Sequence, residues 1–408
     1  MNCRHCAQTL DHVLLDLGFA PPSNAYLSTK NLSASEIYFP LKLFVCTECW
    51  LVQTQDVTDE KSLFTDEYAY FSSVSQGWLK HAKDYCLMIE ERLNLDKDSF
   101  IVEIAANDGY LLRNFVEKSF PCLGIEPTKS TADAAEKLSI SILRRFFNTM
   151  LADELIEQDK QADLIVANNV FAHVPDINDF SLAMRRLLKD NGVITLEFPH
   201  LLQLIDNIQF DTVYHEHFSY LSVTSTIQIL ARAGLRVFDI ELLPTHGGSL
   251  RVYACHTHDV RKNSEQVEKV LRDEVQFGLT ELAVYTKFQQ RVDQVKNTLL
   301  SFLIEQKTKG KTVVAYGAAA KGNTLLNYAG IKPDLLSCVV DAAESKQDKF
   351  LPGSHIPIYA PGKINTIKPD YLLILPWNIS DEIISQQKHI RQWGGRFVIA
   401  LPKLKIIE

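Results

Sequence analysis

The sequence has no long hydrophobic run and no excess of basic residues, and each absence excludes a class of protein. No apolar stretch reaches the about 18 residues that a helix needs to cross a bilayer. Basic residues number 42 against 50 acidic ones, a net charge of -8, whereas a non-specific nucleic-acid binder would be basic. The opening residues, Met-Asn-Cys-Arg-His-Cys, lack the apolar core of a signal peptide. We therefore expect a cytoplasmic protein that binds neither membranes nor nucleic acid.

Cysteine is also scarce, with eight in 408 residues, but four of the eight form two C-x-x-C pairs. A reducing compartment disfavours disulfides, and two such pairs place four thiolates where a tetrahedral Zn²⁺ can bind them. The 39 residues between the pairs allow an inserted loop with its turn at residues 21–24, and residues 42–45 and 50–53 are typical of a hairpin. A four-sulfur site has no open coordination position, so the zinc should be structural. We predict a zinc-ribbon-like domain, residues 1–75, with the ligands Cys3, Cys6, Cys46 and Cys49.

The next part of the chain lacks the glycine-rich fingerprint G-x-G-x-x-G at its first strand–turn–helix unit. Apolar strands at residues 100–105, 122–126, 163–169 and 192–197 alternate with helical segments, which predicts a parallel, doubly wound sheet. A pyrophosphate needs those glycines to approach the helix N-terminus. S-adenosylmethionine has no phosphate and suits the looser turn Ala-Ala-Asn-Asp-Gly at residues 105–109. The pattern therefore favours a methyltransferase over a dehydrogenase.

Polar side chains at the carboxyl ends of these strands form the candidate cofactor site, because ligands bind at that edge of such sheets. Glu126 ends the second strand and can accept hydrogen bonds from both hydroxyls of a ribose. The Asp108-Gly109 turn lets the backbone approach a ligand closely. In this domain, residues 76–256, the predicted cofactor-binding residues are Glu103, Ala105, Asn107, Asp108, Gly109, Glu126, Asn168 and Asn169.

Titratable side chains are concentrated in residues 213–220, Val-Tyr-His-Glu-His-Phe-Ser-Tyr. Histidine exchanges protons near neutral pH, which suits general acid–base catalysis. The segment follows the fourth strand, and His173 follows the third, so both should lie near the ligand edge. By itself a histidine-rich segment is more often an exposed loop or a hydrogen-bonded cluster than a catalytic site. Tyr68 and Tyr70 point the same way if their segment is extended, and their spacing does not choose between them.

A second strand–turn–helix unit begins near residue 311. The turn after strand 312–316 is a near match to the dinucleotide fingerprint, with Ala319 in place of its second glycine. Small residues, a helix N-terminus and a lysine suit a phosphate, so the domain of residues 257–408 could bind NAD, a nucleoside diphosphate or nothing. The predicted substrate-binding residues are Tyr316, Gly317, Ala318, Ala319, Lys321, Gly322 and Asn323.

Together these motifs resemble the nucleotide-sugar C-methyltransferases that make branched deoxysugars. The resemblance runs from the four cysteines through residues 102–109 and 169–176 to residues 214–220 and 316–322. It implies an α/β protein with a zinc-ribbon-like domain, a Rossmann-like class I methyltransferase domain and a second Rossmann-like domain. It also implies transfer of a methyl group from S-adenosylmethionine to a ring carbon, expected to be C-3, of a keto-deoxysugar carried on dTDP.

The resemblance further implies roles for individual residues. In the family a His-Glu pair and a neighbouring tyrosine and histidine line the reacting sugar. A carbon beside a ketone becomes nucleophilic once its proton is removed, which requires a base. We assign the base to His217, with Glu216 orienting a neighbouring group and His173 or a tyrosine donating to the enolate oxygen. The matching positions are Tyr214, Glu216, His217, His173 and one of Tyr68 and Tyr70.

The resemblance also implies that the C-terminal domain helps bind the nucleotide. We expect a monomer, with three domains around one cleft. The main alternative is an NAD-dependent oxidoreductase acting on a nucleotide sugar, with the turn at residues 317–322 holding NAD. A second alternative is a non-enzymatic scaffold that docks through its zinc domain. That scaffold would leave the titratable cluster at residues 213–220 unexplained.

Overall fold

The computed structural model describes residues 1–57 and 71–408, and in this part of the chain the strands form three sheets of four, seven and six strands. In chain order the strands are β1 (His12–Ala20), β2 (Phe39–Val45), β3 (Val52–Thr54), β4 (Ile101–Ile104), β5 (Cys122–Ile125), β6 (Ile142–Leu143), β7 (Ala162–Asn168), β8 (Leu188–Pro199), β9 (Ser219–Tyr220), β10 (Leu235–Leu243), β11 (Ser249–His256), β12 (Val313–Tyr316), β13 (Val339–Val340), β14 (Ile358–Tyr359), β15 (Tyr371–Ile374), β16 (Arg396–Ile399) and β17 (Lys405–Ile407).

Helices cover the sheets and connect them. They are α1 (Gln76–Leu93), α2 (Arg113–Val116), α3 (Lys129–Glu136), α4 (Thr149–Ile156), α5 (Ile177–Leu187), α6 (Leu201–Asp206), α7 (Val223–Arg232), α8 (Glu265–Phe277), α9 (Leu282–Thr286), α10 (Phe288–Thr308), α11 (Ala320–Tyr328), α12 (Lys363–Ile367) and α13 (Ser380–Gln386). None of the helices in the described ranges is long and apolar enough to span a membrane.

The N-terminal sheet is antiparallel, in the order β1-β2-β3-β9. The predicted hairpin is confirmed as β2 and β3, with Val45 opposite Val52. The fourth strand, β9, comes from far along the chain and pairs Tyr220 with Val52. The end of the histidine-rich segment is therefore a strand of the sheet that carries the cysteine pairs.

The central sheet has the order β10-β11-β8-β7-β4-β5-β6. The four predicted strands are confirmed as β4, β5, β7 and β8, which are parallel to one another. The sheet is not parallel throughout, because β11 runs antiparallel to both of its neighbours. The connection from β10 to β11 spans only residues 244–248, and a short connection can join only antiparallel strands. That connection consequently lies at the carboxyl edge of the sheet.

The C-terminal sheet has the order β14-β13-β12-β15-β16-β17 and is parallel except for its last strand. One apolar cluster joins this sheet to α10 and to the N-terminal sheet, and it includes Leu43, Phe210, Val292 and Val313. A second cluster joins the cysteine pairs and α8 to the central sheet. Shared cores of this kind hold the three sheets around one central region.

Candidate active site

The four predicted zinc ligands lie together at the start of the N-terminal sheet. Their sulfur atoms are all within 4.8 Å of one another, and Cys3–Cys49 and Cys6–Cys46 are each 3.5 Å apart. Tetrahedral zinc with Zn–S bonds of about 2.3 Å needs sulfurs about 3.8 Å apart, so the cluster fits this ion. The side-chain amide of Gln53 donates to the Cys3 sulfur at 3.2 Å, which further orients that ligand.

The first turn of the central sheet bends sharply towards the ligand edge. Ala105, Asn107 and Gly109 all have positive φ, at 58°, 49° and 78°. A Cβ on Gly109 would lie 2.3 Å from Cδ1 of Ile140, so this position requires glycine. The Glu126 carboxylate holds the turn by accepting a hydrogen bond from the backbone amide of Asn107 at 2.9 Å. Backbone strain concentrated in one turn is common where a ligand is bound closely.

Buried polar atoms beside this turn lack protein partners in the described residues. They are Oδ1 of Asp108 and Oδ1 of Asn168, at the ends of neighbouring strands. Burial also raises the pKa of Glu103 well above its usual range. The backbone amide of Asn169, which has φ 53°, donates a hydrogen bond to the backbone carbonyl of Glu197 at 2.6 Å. Because buried polar groups are normally hydrogen-bonded, these atoms fit a polar ligand at this edge, and Glu126, Asp108 and Asn168 would hold S-adenosylmethionine there.

The predicted base and its neighbours form a cluster of aromatic rings. The His217 ring lies 4.0 Å from the Tyr214 ring and 4.5 Å from the His173 ring, measured between centroids. The Tyr220 ring is 5.9 Å away. Nδ1 of His217 is 3.0 Å from the carbonyl of Thr212, which can only accept, so Nδ1 carries the proton. In the neutral ring, Nε2 is then the nitrogen with a free lone pair.

Two backbone contacts hold this segment against both sheets. Phe218 donates its amide to the carbonyl of Ala172, at 2.8 Å, and Thr54 donates its amide to the carbonyl of Phe218, at 3.1 Å. The first contact fixes the segment next to His173 on the central sheet. His215 lies apart from this cluster, with its ring 5.8 Å from Phe39.

Burial controls the protonation of the histidines. It lowers the pKa of His173 to about 4 and that of His217 well below its usual range. The neighbouring His173 ring lowers the pKa of His217 further. The site therefore holds neutral imidazoles at pH 7.

Glu216 meets a side chain from the inserted loop of the N-terminal domain. The amide of Asn24 donates to its two carboxylate oxygens at 2.8 and 3.0 Å. Two residues further on, the Tyr26 hydroxyl donates to the carbonyl of Ala318 at 2.5 Å. Nothing in the sequence beyond a turn at residues 21–24 pointed to this loop, because its contacts span about 200 to 300 residues.

The C-terminal turn lies against the histidine-rich segment. Thr324, in α11, donates its hydroxyl to the carbonyl of Val213 at 2.8 Å, and Asn323 donates its amide to the carbonyl of Ser23 at 2.6 Å. Within the turn, the backbone amide of Ala318 donates a hydrogen bond to the Asp341 carboxylate at 2.6 Å. Tyr316 packs into the apolar core of its own sheet. The turn includes Gly317, at φ 92°, and Ala319, the residue before α11, whereas Gly322 is buried within the first turn of α11.

Lys321, in the first turn of α11, points into a small polar network. Its ammonium donates to Oδ1 of Asn378 at 2.7 Å and lies 4.8 Å from the centre of the Trp377 ring. The Trp377 indole donates to the Asp211 carboxylate at 2.7 Å. Burial lowers the pKa of Lys321 and raises that of Asp211 to about 6, and each charge opposes the shift of the other. The Lys321 charge also contributes to the lowered pKa of His217, so the turn and the base share one region.

Two further groups near the site were missed by sequence reasoning. Glu197, at the end of β8, is fully buried and accepts from His81 at 2.9 Å and Arg251 at 3.0 Å. His246, in the connection between β10 and β11, lies 5.0 Å from the Trp78 ring. In the sequence, the only indication of a functional role for His246 was its position in a connection with two glycines, and Glu197 gave no such indication. Tyr68 and Tyr70, also predicted to line the site, lie outside the described residues.

The fold and the site define a methyltransferase that uses S-adenosylmethionine and carries a zinc-binding domain. Residues 78–240 match the family model described as "Methyltransferase domain", and residues 3–64 match "Putative zinc binding domain". Residues 244–402 match "C-methyltransferase C-terminal domain". The predicted three-part fold and both cofactors are thereby confirmed.

The chain is 32% identical over 410 residues to C-methyltransferase NovU from Streptomyces niveus, an alignment that covers 100% of this chain and 97% of the relative. It belongs to this C-methyltransferase family, and the oxidoreductase alternative is not supported.

Two similar solved methyltransferase structures each cover less than half of the chain. An S-adenosylmethionine-dependent methyltransferase from Clostridium acetobutylicum is 12% identical, with a TM-score of 0.36, over 46% of this chain and 92% of that one. The glycopeptide N-methyltransferase MtfA complexed with S-adenosylmethionine is 13% identical, with a TM-score of 0.34, over 44% and 93%.

Proposed function

We propose that the protein methylates a ring carbon, C-3, of a keto-deoxysugar carried on dTDP, through an enolate formed by His217. The observation that carries this proposal is the hydrogen bond from Nδ1 of His217 to the Thr212 carbonyl. It fixes the tautomer so that Nε2 can accept a proton. S-adenosylmethionine supplies an electrophilic methyl group when bound.

In the proposed reaction, Nε2 of His217 takes the proton from the carbon beside the sugar ketone. The electron pair of that C–H bond forms a C=C bond, and the ketone oxygen becomes an enolate. S-adenosylmethionine, which Glu126, Asp108 and Asn168 would hold, would supply its methyl group to the enolate carbon with cleavage of the C–S bond, so that the ketone is restored and S-adenosylhomocysteine remains. Because burial lowers the pKa of His217, its ring is neutral and can accept a proton, but it is a weak base. The enolate oxygen therefore needs strong stabilisation.

Neutral donors beside His217 can provide that stabilisation. The His173 ring is 4.5 Å away and the Tyr214 ring is 4.0 Å away, between centroids. Donors held in place before reaction in a buried site are worth about 10²–10³-fold in rate each. Glu216, held by Asn24, is proposed to orient the sugar or one of these donors.

The nucleotide part of the substrate is assigned to the C-terminal turn, residues 316–323. Its support is proximity, since α11 contacts the histidine-rich segment through Thr324 and Val213. The turn leads into the N-terminus of α11, and Lys321 lies in the first turn of that helix, an arrangement that suits a phosphate. The division of the chain into domains at residues 1–75, 76–256 and 257–408 and its monomeric state are parts of the same proposal.

The test is a panel of keto-deoxysugars linked to dTDP, GDP or CDP, each incubated with S-adenosylmethionine labelled with ¹³C in the methyl group. Mass spectrometry and carbon NMR should show a new C–CH₃ group at C-3 of the dTDP sugar. With S-adenosylhomocysteine in place of the donor, the wild-type enzyme should still exchange deuterium at that carbon, and His217→Asn should not. Methylation at oxygen, or at no sugar of the panel, would contradict the proposal.

A further inference from the structure

The connection between β10 and β11, residues 244–248, lies at the carboxyl edge of the central sheet beside the end of β8. The carbonyl of Gly247 accepts from the side-chain amide of Gln209 at 2.8 Å. A Cβ on Gly247 would lie 2.4 Å from the Trp377 ring of the C-terminal domain. The Thr245 hydroxyl donates to the buried Glu197 carboxylate at 3.2 Å. The connection is therefore held from three sides, and its position is fixed.

His246 occupies a backbone conformation that histidine rarely adopts, with φ 53° and ψ 20°. Such left-handed residues persist where the surroundings hold them, and they are concentrated at active sites. Its ring lies 5.0 Å from the Trp78 ring, which itself stacks on His81 at 4.8 Å. In the described ranges the His246 ring makes this one aromatic contact, with Trp78, but no hydrogen bond, so both ring nitrogens are uncommitted.

Electrostatic contributions link His246 to the proposed base. The ring is surrounded by protein but keeps some exposed surface. Burial, with the Lys321 ammonium, lowers its pKa to about 4, and the Glu197 carboxylate opposes this shift. His246 in turn contributes to the lowered pKa of His217. His246 is therefore coupled electrostatically to Glu197, at the end of β8, and to Lys321 and His217.

The charge state of the ring limits what it can bind. A neutral imidazole offers one donor and one acceptor but no positive charge. It suits a hydroxyl or carbonyl oxygen better than a diphosphate, which favours cations. The candidate cofactor site, at the first turn and Glu126, is built on other strands of the sheet.

We propose that His246 is a substrate-binding residue that hydrogen-bonds a hydroxyl or carbonyl oxygen of the acceptor sugar. This inference rests on the proposed function, because it takes a keto-sugar as the acceptor. It assigns His246 to recognition of the sugar, distinct from proton transfer by His217.

The test compares His246→Gly and His246→Asn in the full-length enzyme, because glycine and asparagine both tolerate the left-handed backbone. His246→Gly removes the ring and should raise KM for the keto-sugar by about tenfold, the usual effect of losing one hydrogen bond to a ligand. His246→Asn keeps a donor and an acceptor and should recover part of that loss. The Kd of S-adenosylmethionine, from calorimetry, should stay within about twofold of wild type for both. Exposed His258→Asn is the control with unchanged KM.

Two results would overturn the inference. One is a wild-type KM in both His246 variants while the wild-type enzyme methylates the sugar, which would leave the proposed function intact. The other is a rise in the Kd of S-adenosylmethionine that equals the rise in sugar KM, which would make His246 a cofactor or structural residue. If the wild-type enzyme methylates no keto-sugar, the proposed function fails first and the inference with it.

Discussion

The side-chain amide of Asn24 donates to both carboxylate oxygens of Glu216, at 2.8 and 3.0 Å, across 192 positions of sequence. Asn24 belongs to the loop inserted between the cysteine pairs, and Glu216 precedes the proposed base. The zinc-binding domain thus contacts the proposed reacting region through the Asn24 side chain as well as through β9. The zinc-binding domain is therefore packed against the rest of the protein and is not a separate docking module.

Asn24→Ala should lower kcat/KM for the keto-sugar by about tenfold, since hydrogen bonds to a charged group contribute about 1.5–3 kcal/mol. The Glu216 carboxylate would lose the donor that holds it. Asn31→Ala, at an exposed position of the same loop, is the matched control and should match wild type. Equal kcat/KM for the two variants would show that the Asn24 contact does not support catalysis. Thermal unfolding checks that both variants fold.

His217→Asn should lower kcat by about 10²–10⁴-fold, the range for loss of a general base. The Kd of S-adenosylmethionine should change little, because the cofactor turn lies on other elements. His215→Asn is a close control, because its ring packs near Phe39 outside the cluster. A similar loss of kcat in both variants, with normal unfolding temperatures, would remove His217 from its proposed role.

Removal of zinc should destabilise the protein and abolish turnover together. Cys46→Ser leaves three sulfur ligands and should lower both the bound zinc, expected at one ion per chain, and Tm. Turnover should follow because β9, next to His217, is a strand of the same sheet. Cys338→Ser, in the C-terminal core, should retain full zinc content as measured by elemental mass spectrometry. A zinc-free Cys46→Ser variant with wild-type turnover would contradict this coupling.

Acid should destabilise the protein between pH 6.5 and about 4. His173 and His246 have folded pKa values near 4, against 6.5 for free histidine, so in this window the unfolded chain binds more protons. The contribution of these two histidines to the free energy of unfolding is therefore complete above pH 6.5 and is lost as the pH falls towards 4. Asp211, with its pKa raised to about 6, acts in the opposite sense and offsets part of this loss.

The measurement for this prediction is Tm as a function of pH between 7.5 and 4.5, at constant ionic strength. His173→Asn removes one titrating ring, so its Tm should fall less steeply with acid than that of wild type. An identical slope for the two proteins would show that His173 does not titrate as its burial predicts.

The sequence alone determined the local elements of the fold. Apolar runs predicted β4, β5, β7 and β8, because a buried strand must be apolar whatever packs against it. The spacing of the cysteine pairs predicted the metal site for a similar reason, since zinc coordination demands particular ligands at short spacing. These signals depend on neighbours in sequence and need no knowledge of the tertiary fold.

Only the tertiary structure decided which residues meet across the chain. Neither the pairing of β9 with β3 nor the contact between Asn24 and Glu216 leaves a periodic trace in the sequence. The strained His246 and the buried Glu197 network likewise depend on packing between separate elements. Hydrogen bonds and burial act through space, so their partners and the resulting low histidine pKa values emerge only when the three sheets are packed together.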